Sequence, residues 1–174
     1  MLKAGMKSPL NRPPGLMTSA TSALTSKETS RQKMLPYLYV TLGSALGGLL
    51  RYSLTRLTLS LSSTFPWGTI TINILGSFVI GYFGTLTLHG TRYAVSENTR
   101  LFVMVGICGG FTTFSSFSLQ TLDLVRSGAW FRALANVVLS VVLCFAAVAA
   151  GHLLAQHATH RTEIAQTREE EFTG

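Results

Sequence analysis

Charge is what this chain has least of. Only 12% of its 174 residues are Asp, Glu, Lys or Arg, against about 25% in a typical soluble domain. With 47% hydrophobic residues and a mean hydropathy of +0.37, the composition argues against an ordinary soluble domain. Acids are scarcer than bases, 7 against 14, but the basic residues lie outside the long apolar runs and form no aromatic-interleaved face, so nucleic acid is not an expected partner. The two cysteines, Cys108 and Cys144, both fall inside apolar runs, so neither a disulfide framework nor a thiolate metal site is expected. His89, His152, His157 and His160 sit at the ends of such runs or beyond them, and no acid, base and nucleophile group is visible. An enzyme is therefore not expected.

What is present is a set of long uncharged stretches. They run from 34 to 50, 57 to 91, 101 to 122 and 133 to 160, where a membrane-crossing helix needs about 20 mostly apolar residues. The second stretch is too long for one span, and Ser62-Ser63-Thr64-Phe65-Pro66-Trp67-Gly68 interrupts it with turn-forming residues suited to a membrane interface. The fold class predicted is all-α and integral to the membrane, with four transmembrane helices near 36–60, 67–89, 101–125 and 130–155. Residues 34–157 form the membrane domain. Residues 1–33 read as a flexible basic arm, rich in Ser, Thr and Pro and without a continuous apolar stretch. Residues 158–174, with Glu169-Glu170-Glu171, read as a solvated tail. Four spans place both termini and the 91–100 loop on one side, which carries Lys27, Arg31, Lys33, Arg92, Arg100, Arg161 and Arg168; the other side has Arg56, Arg126 and Arg132. Seven against three favours a cytoplasmic N-terminus.

Polar groups within the spans are costly in lipid and turn toward protein or water. The first span holds Gly43-Ser44-Ala45-Leu46-Gly47-Gly48, a small-residue face that lets a neighbouring helix approach, followed by Arg51. The second places Asn73 one turn from Ser77 on the same face. The fourth repeats Asn136, Ser140 and Cys144 at i, i+4 and i+8, a stripe of uncharged polar groups. Such a stripe suits a partly dehydrated anion, and equally suits interhelical hydrogen bonding. The third span carries Gly106-Ile107-Cys108-Gly109-Gly110-Phe111-Thr112-Thr113-Phe114-Ser115-Ser116-Phe117-Ser118. Paired glycines and five hydroxyl residues at mid-span lower helix propensity, which predicts a helix broken at its centre. Irregular backbone at that depth must be buried in protein or line a cavity.

These residues resemble the Fluc fluoride channels, also called CrcB proteins. The likeness is carried by Gly47-Gly48 with Arg51-Tyr52, by Gly68-Thr69 leading to Asn73 and Gly76-Ser77-Phe78, and by the run from Gly109 to Ser118, over about residues 35–155. The resemblance implies an antiparallel, dual-topology dimer in the cell (inner) membrane, with two fluoride pores and a structural Na+ at the dimer interface. It implies that Asn73, Phe114 and Phe117 line the fluoride path, that Ser115 and Ser116 fall in the break between the rings, and that Arg51 lies near a pore vestibule. Asn136, Ser140 and Cys144 match the family's polar track. The backbone carbonyls of Gly109 and Thr112 match those that hold the sodium ion.

Two departures stand out. Similar proteins often carry Glu where this chain has Gln120, which keeps the shape and removes the charge. The seven-to-three bias also differs from the balanced loops of strict dual topology, so a heterodimer with an oppositely oriented relative is open beside the homodimer. A four-helix bundle fills its own interior with side chains, which places an ion path at a subunit interface. Two other classes remain: a small multidrug-type exporter, disfavoured because the first, second and fourth spans hold no Asp or Glu, and a membrane scaffold subunit without transport activity.

Overall fold

The computed structural model describes the backbone of residues 15–88 and 93–173 and the side chains of residues 31–88 and 93–160. Residues 1–14 of the basic arm, with the side chains of the rest of it up to 30, and the tail's side chains from 161 on lie outside the described residues. Contacts divide the chain into two units, 1–35 and 36–174. The first contributes helical backbone from Gly15 on; all that follows concerns the second.

All regular structure among the described residues is helical. Helix α1 spans Gly15–Leu57 and α2 spans Trp67–Leu86. A short α3, Glu97–Arg100, runs into a π-helical segment, Leu101–Cys108, then α4, Gly109–Phe111, and α5, Phe114–Arg126. Helix α6 spans Trp130–Thr173. Three segments are long and apolar enough to cross a membrane, Trp67–Leu86, Glu97–Arg126 and Trp130–His160. The chain is thus a multi-pass membrane protein. Residues 36–57 fall outside that set, because glycines, Ser44, tyrosines and Arg51 dilute the hydropathy of an otherwise leucine-rich helix.

Glu97–Arg126, the segment expected as the third span, is broken at its centre, as its composition predicts, but not by its glycines. Gly109 and Gly110 stay helical, and the break falls at Thr112, with ψ 158°, and Thr113, with φ −151° and ψ 107°. Two adjacent β-branched residues in extended geometry interrupt the helix. Ser115 and Ser116 lie in the first turn of α5, not in the break expected of them.

Glycines serve a different end, the approach of α1. A Cβ on Gly47 would collide with the Ile107 carbonyl oxygen and come within 2.9 Å of Phe111 N; one on Gly110 would lie 2.6 Å from Ser44 O. The π-helical segment serves the same seam. With i→i+5 hydrogen bonds, residues four and five apart stack on one face, and Phe102, Gly106, Ile107 and Phe111 are the ones that meet Gly43 and Gly47.

Loop chemistry fixes the remaining joins. Helix α5 ends in a Schellman motif: Ala129 N–H donates to Leu124 O and Gly128 N–H to Val125 O, at 2.9 and 3.0 Å, with Gly128 at φ +76°. Arg100, which the sequence offers only as a loop charge, caps α2 instead. Its Nη1 donates to the Thr87 carbonyl at 2.7 Å, to Thr87 Oγ1 at 2.8 Å and to Gly84 O at 3.3 Å, where the C-terminal end of the helix dipole favours a cation. At the same end, Thr85 Oγ1 and His152 Nδ1 share a hydrogen bond of 2.8 Å that ties α2 to α6.

The glycine seam gives a direct contrast. Gly47→Ala overpacks a backbone contact, at a typical cost of about 1–3 kcal/mol, and lowers the melting temperature of the detergent-solubilised protein. Gly48→Ala, whose Cβ would meet nothing within 4 Å, leaves it unchanged or raises it through helix propensity, by up to about 1 kcal/mol.

Candidate functional site

A break in a helix within a membrane exposes backbone N–H and C=O groups that no water can satisfy. In this chain one side chain answers for both groups of the residue at the break. Asn73, in the N-terminal half of α2, accepts from Thr113 N–H through Oδ1 at 2.8 Å and donates from Nδ2 to Thr113 O at 3.3 Å. Its primary amide thus imitates the backbone partner that the break removes.

Thr113 then restarts the helix. Its Oγ1 accepts from Ser116 N–H at 3.2 Å as N-cap of α5 and donates to Ser116 Oγ at 2.9 Å. Thr112 Oγ1 donates back to Cys108 O at 2.9 Å, closing the end of α4. Two carbonyls lose their usual helical donors in the process. Thr113 N–H, which would serve Gly109 O, goes to Asn73, and Ser116 N–H, which would serve Thr112 O, goes to Thr113 Oγ1. Those are the carbonyls the family resemblance assigns to the sodium ion, so the donor set fits a monovalent cation, whose ligands are neutral oxygens.

Beside the break lies a cavity of about 380 Å³, walled by α2, the π segment, the break and α6. It gathers Asn73, Ser77, Gly109, Thr112, Phe114, Phe117, Ser140 and Cys144 from the sequence candidates, and adds Thr113 and Cys108. The Phe114 and Phe117 ring centroids are 5.4 Å apart at 46°, so the two rings do project together. Phe114 is 79% exposed, an apolar ring held at the open side of the cavity. Thr113, the N-cap of the 13-residue α5, is in the wall, so the positive end of that helix dipole faces the space.

Asn136 belongs to the support rather than the lining. It is 1% exposed; its Nδ2 donates to Thr121 Oγ1 at 2.8 Å, and Thr121 in turn donates to Phe117 O at 2.8 Å. Ser140 Oγ donates to Asn136 Oδ1 at 3.5 Å. The stripe on α6 is therefore partly interhelical hydrogen bonding, which anchors the backbone under Phe117, and partly cavity wall at Ser140 and Cys144. Arg51 lies half-buried on α1 and lines no part of this cavity. Ser115 and Ser116 serve the N-cap network instead, Ser115 Oγ standing 3.3 Å from Thr113 Oγ1. Gln120 sits one helical turn beyond, with Oε1 buried and unpartnered among the described residues, beside a polar cleft of about 500 Å³ that also holds Ser63, Asp123 and Arg132.

Thr113 is the residue that the sequence does not single out. Its signal was a Thr three residues before Ser116 at a helix restart, which reads as an N-cap only once the break is placed.

Removal of either half of the staple has a calculable cost. Asn73→Ala leaves two buried backbone groups unpaired at about 1–3 kcal/mol each, and Thr113→Val loses a cap worth about 1 kcal/mol. Melting temperatures in detergent are expected to fall in that order, with Asn73→Ala lowest. Equal melting of Asn73→Ala and the unsubstituted protein would remove the staple from the description.

Known proteins bear on this site. Residues 38–152 match the model of the family described as CrcB-like protein, Camphor Resistance (CrcB). A protein of Methylobacterium radiotolerans is 62% identical over 120 residues, 69% of this chain and 84% of its own length. One of Gluconobacter oxydans is 60% identical over 136 residues, 77% of this chain and 94% of its own. One of Methylocella silvestris is 54% identical over 122 residues, 70% and 93% of the two chains. Each of the three is named a fluoride-specific ion channel, FluC. The match begins at residue 38, within α1, and ends at residue 152, within α6, with the break and its cavity inside it, and this chain belongs to the CrcB-like family.

Proposed function

We propose that this protein is a passive, fluoride-selective channel that lets cytoplasmic fluoride leave the cell. The observation that carries the reading is the cavity beside the stapled break, where the rings of Phe114 and Phe117 meet an uncharged polar wall. The names of its relatives support the same reading. A phenyl ring is negative on its face and positive at its edge, so ring edges receive a small anion while the apolar surround disfavours a larger one. Asn73, Ser140 and the N-terminal end of α5 add donors and a positive potential without a fixed charge that would trap the ion. Among the described residues no His or carboxylate lines the cavity, in keeping with conduction rather than proton-coupled export.

The finer architecture is part of the proposal. Residues 36–57 form a fourth span, packed on the third through the glycine seam. Two copies associate antiparallel as a homodimer, which closes the open side of the cavity where Phe114 stands and covers exposed α6 side chains such as Leu134, Val138 and Val141. The carbonyls of Gly109 and Thr112 from the two copies would hold one structural Na+. Such a cation neutralises carbonyl dipoles that would otherwise face one another. Support for the arrangement comes from the diverted helical donors of those two carbonyls and from the open space at Gly109, whose added Cβ would meet nothing within 4 Å in its own chain.

Fluoride efflux from liposomes containing the purified protein, driven by a fluoride gradient and read with a fluoride electrode, tests the function. Rapid fluoride efflux with little chloride efflux is expected; absence of fluoride efflux overturns the reading in favour of a scaffold subunit. Phe114→Ile keeps apolar bulk but removes the positive edge. It is expected to lower flux about tenfold or more, the effect of ~1.4 kcal/mol added to the barrier. Phe114→Tyr is expected to be gentler. A core-packing Phe would give the reverse order, because Ile fits an apolar site better than the hydroxyl of Tyr.

The sodium site has its own test in the same assay. Thr112→Ser keeps the backbone ligand and is expected to be mild, while Gly109→Val is expected to abolish assembly or flux. Since nothing in its own chain would clash with that side chain, intact dimers with normal flux in Gly109→Val would contradict a close approach of a second copy at the break.

A further inference from the structure

Three of the four histidines stand together at one end of the helices, away from the break. Helices α2 and α6 both begin at a tryptophan, Trp67 and Trp130, a residue that favours the membrane interface. At 1.5 Å per residue α2 reaches Leu86 after about 30 Å and α6 reaches His152 after about 33 Å, which is about the thickness of the hydrocarbon core. Those ends therefore stand at the opposite interface, and His157 and His160 follow one to two turns on, at the level of the headgroups. Close packing joins the two ends. A Cβ on Gly81 would collide with Val148 O, and one on Gly151 would lie 2.5 Å from Phe78 O, so the helices touch backbone to backbone. One turn beyond Gly81, Thr85 Oγ1 shares its 2.8 Å hydrogen bond with His152 Nδ1. A pocket of about 590 Å³ lies there, walled by His152, Gln156, His157 and His160 with Thr85 and Leu88. We infer that this pocket holds the phosphate of an anionic phospholipid.

The wall is made of donors. Each imidazole has one N–H when neutral and two when protonated, and the Gln156 amide has two. When Thr85 donates to Nδ1, His152 carries its proton on Nε2. Thr159 also borders the pocket, but its hydroxyl proton goes to Ala155 O at 3.0 Å, so it adds wall and not a donor. Among the described residues no Asp or Glu lines the pocket to repel an anion. The carbonyl end of α2, which would disfavour one, is already met by the Arg100 guanidinium. Apolar surface accompanies the donors: Leu88 in the wall, and Leu153 and Leu154 beside His152 in sequence, are about half exposed. A free phosphate ion has no use for that surface, whereas a phospholipid brings acyl chains to it. Pockets of this kind between membrane helices suit lipid headgroups. The inference rests on the multi-pass character of the chain and not on the fluoride reading, and His157 and His160 lie beyond residue 152, where the family match ends.

The probe is dioleoylphosphatidylglycerol, added to the purified full chain in a non-ionic detergent. Bound lipid is counted by native mass spectrometry, and stability is read as the melting temperature. One lipid per chain and a raised melting temperature are expected. His157 and His160 are exposed, so a His157→Ala/His160→Ala double variant is expected to melt as the unsubstituted chain does without lipid. Its affinity for the lipid is expected to fall about tenfold or more, as for loss of a hydrogen bond to a charged group. Dioleoylglycerol, with the same chains and no phosphate, is expected to bind more weakly by a similar factor, and millimolar inorganic phosphate is expected to leave the melting temperature unchanged. Unaltered lipid affinity in the double variant would overturn the proposal. So would equally tight binding of dioleoylglycerol, an equal rise in melting temperature with inorganic phosphate alone, or no binding of the phospholipid. The last three outcomes are read on the unsubstituted chain, so a variant that fails to fold leaves the proposal open to refutation. Fluoride flux enters none of these readings, so their failure leaves the proposed function standing.

Discussion

A peptide group inside a bilayer has no water to turn to, and the paired hydrogen bonds between Asn73 and Thr113 answer that constraint at the break. They fix the level at which the third span stops being helical and the side of α2 against which it stops. They free Gly109 and Thr112 carbonyls from their helical donors, and they let Thr113 turn its hydroxyl to cap α5. The first turn of α5 then presents Phe114 and, three residues on, Phe117 at one open cavity. Geometry that the fluoride reading needs thus follows from one amide meeting one peptide unit.

Support for that geometry is spread over contacts of two kinds. Backbone-to-backbone approach at Gly43, Gly47, Gly106 and Gly110 holds α1 against the third span, where dispersion rather than the hydrophobic effect is the driving force. Polar contacts hold the rest: Asn136 through Thr121 to the Phe117 carbonyl, Thr85 to His152, and Arg100 over the end of α2. Few hydrophobic side chains are buried, among them Ile70, Ile72 and Cys108, while leucines and valines along α6 stay exposed. Lipid is the natural cover for such a surface on a multi-pass membrane protein.

Much of this was legible in the sequence. Uncharged runs of sufficient length gave three of the four expected spans, and the small-residue face of α1 gave its packing. The dense Gly, Thr, Ser and Phe segment gave a broken third helix. Asn73 could be picked out because an amide at mid-span is expensive. The same reasoning did not locate the break within that segment, because helix propensity counts Gly109 and Gly110 together with the hydroxyl residues, while the structure keeps both glycines helical and breaks at the two threonines beside Asn73. It gave Ser115 and Ser116 to the break when they are cap residues of α5. The π-helical segment left no mark on composition, since its register is set by contact with α1. Arg100 read as loop charge because its acceptors, at Gly84 and Thr87, are brought near only by the fold.

The most direct test is hydrogen exchange at the Thr113 amide, followed by NMR on protein labelled with 15N-threonine in bilayers. A Thr113 N–H held by the Asn73 side chain exchanges as slowly as amides in the interior of α2, although it has no helical partner, and loses that protection in Asn73→Leu while the amides of α2 keep theirs. A Thr113 amide that exchanges as fast as exposed loop amides, or one whose protection is unchanged in Asn73→Leu, would contradict the staple on which the rest depends.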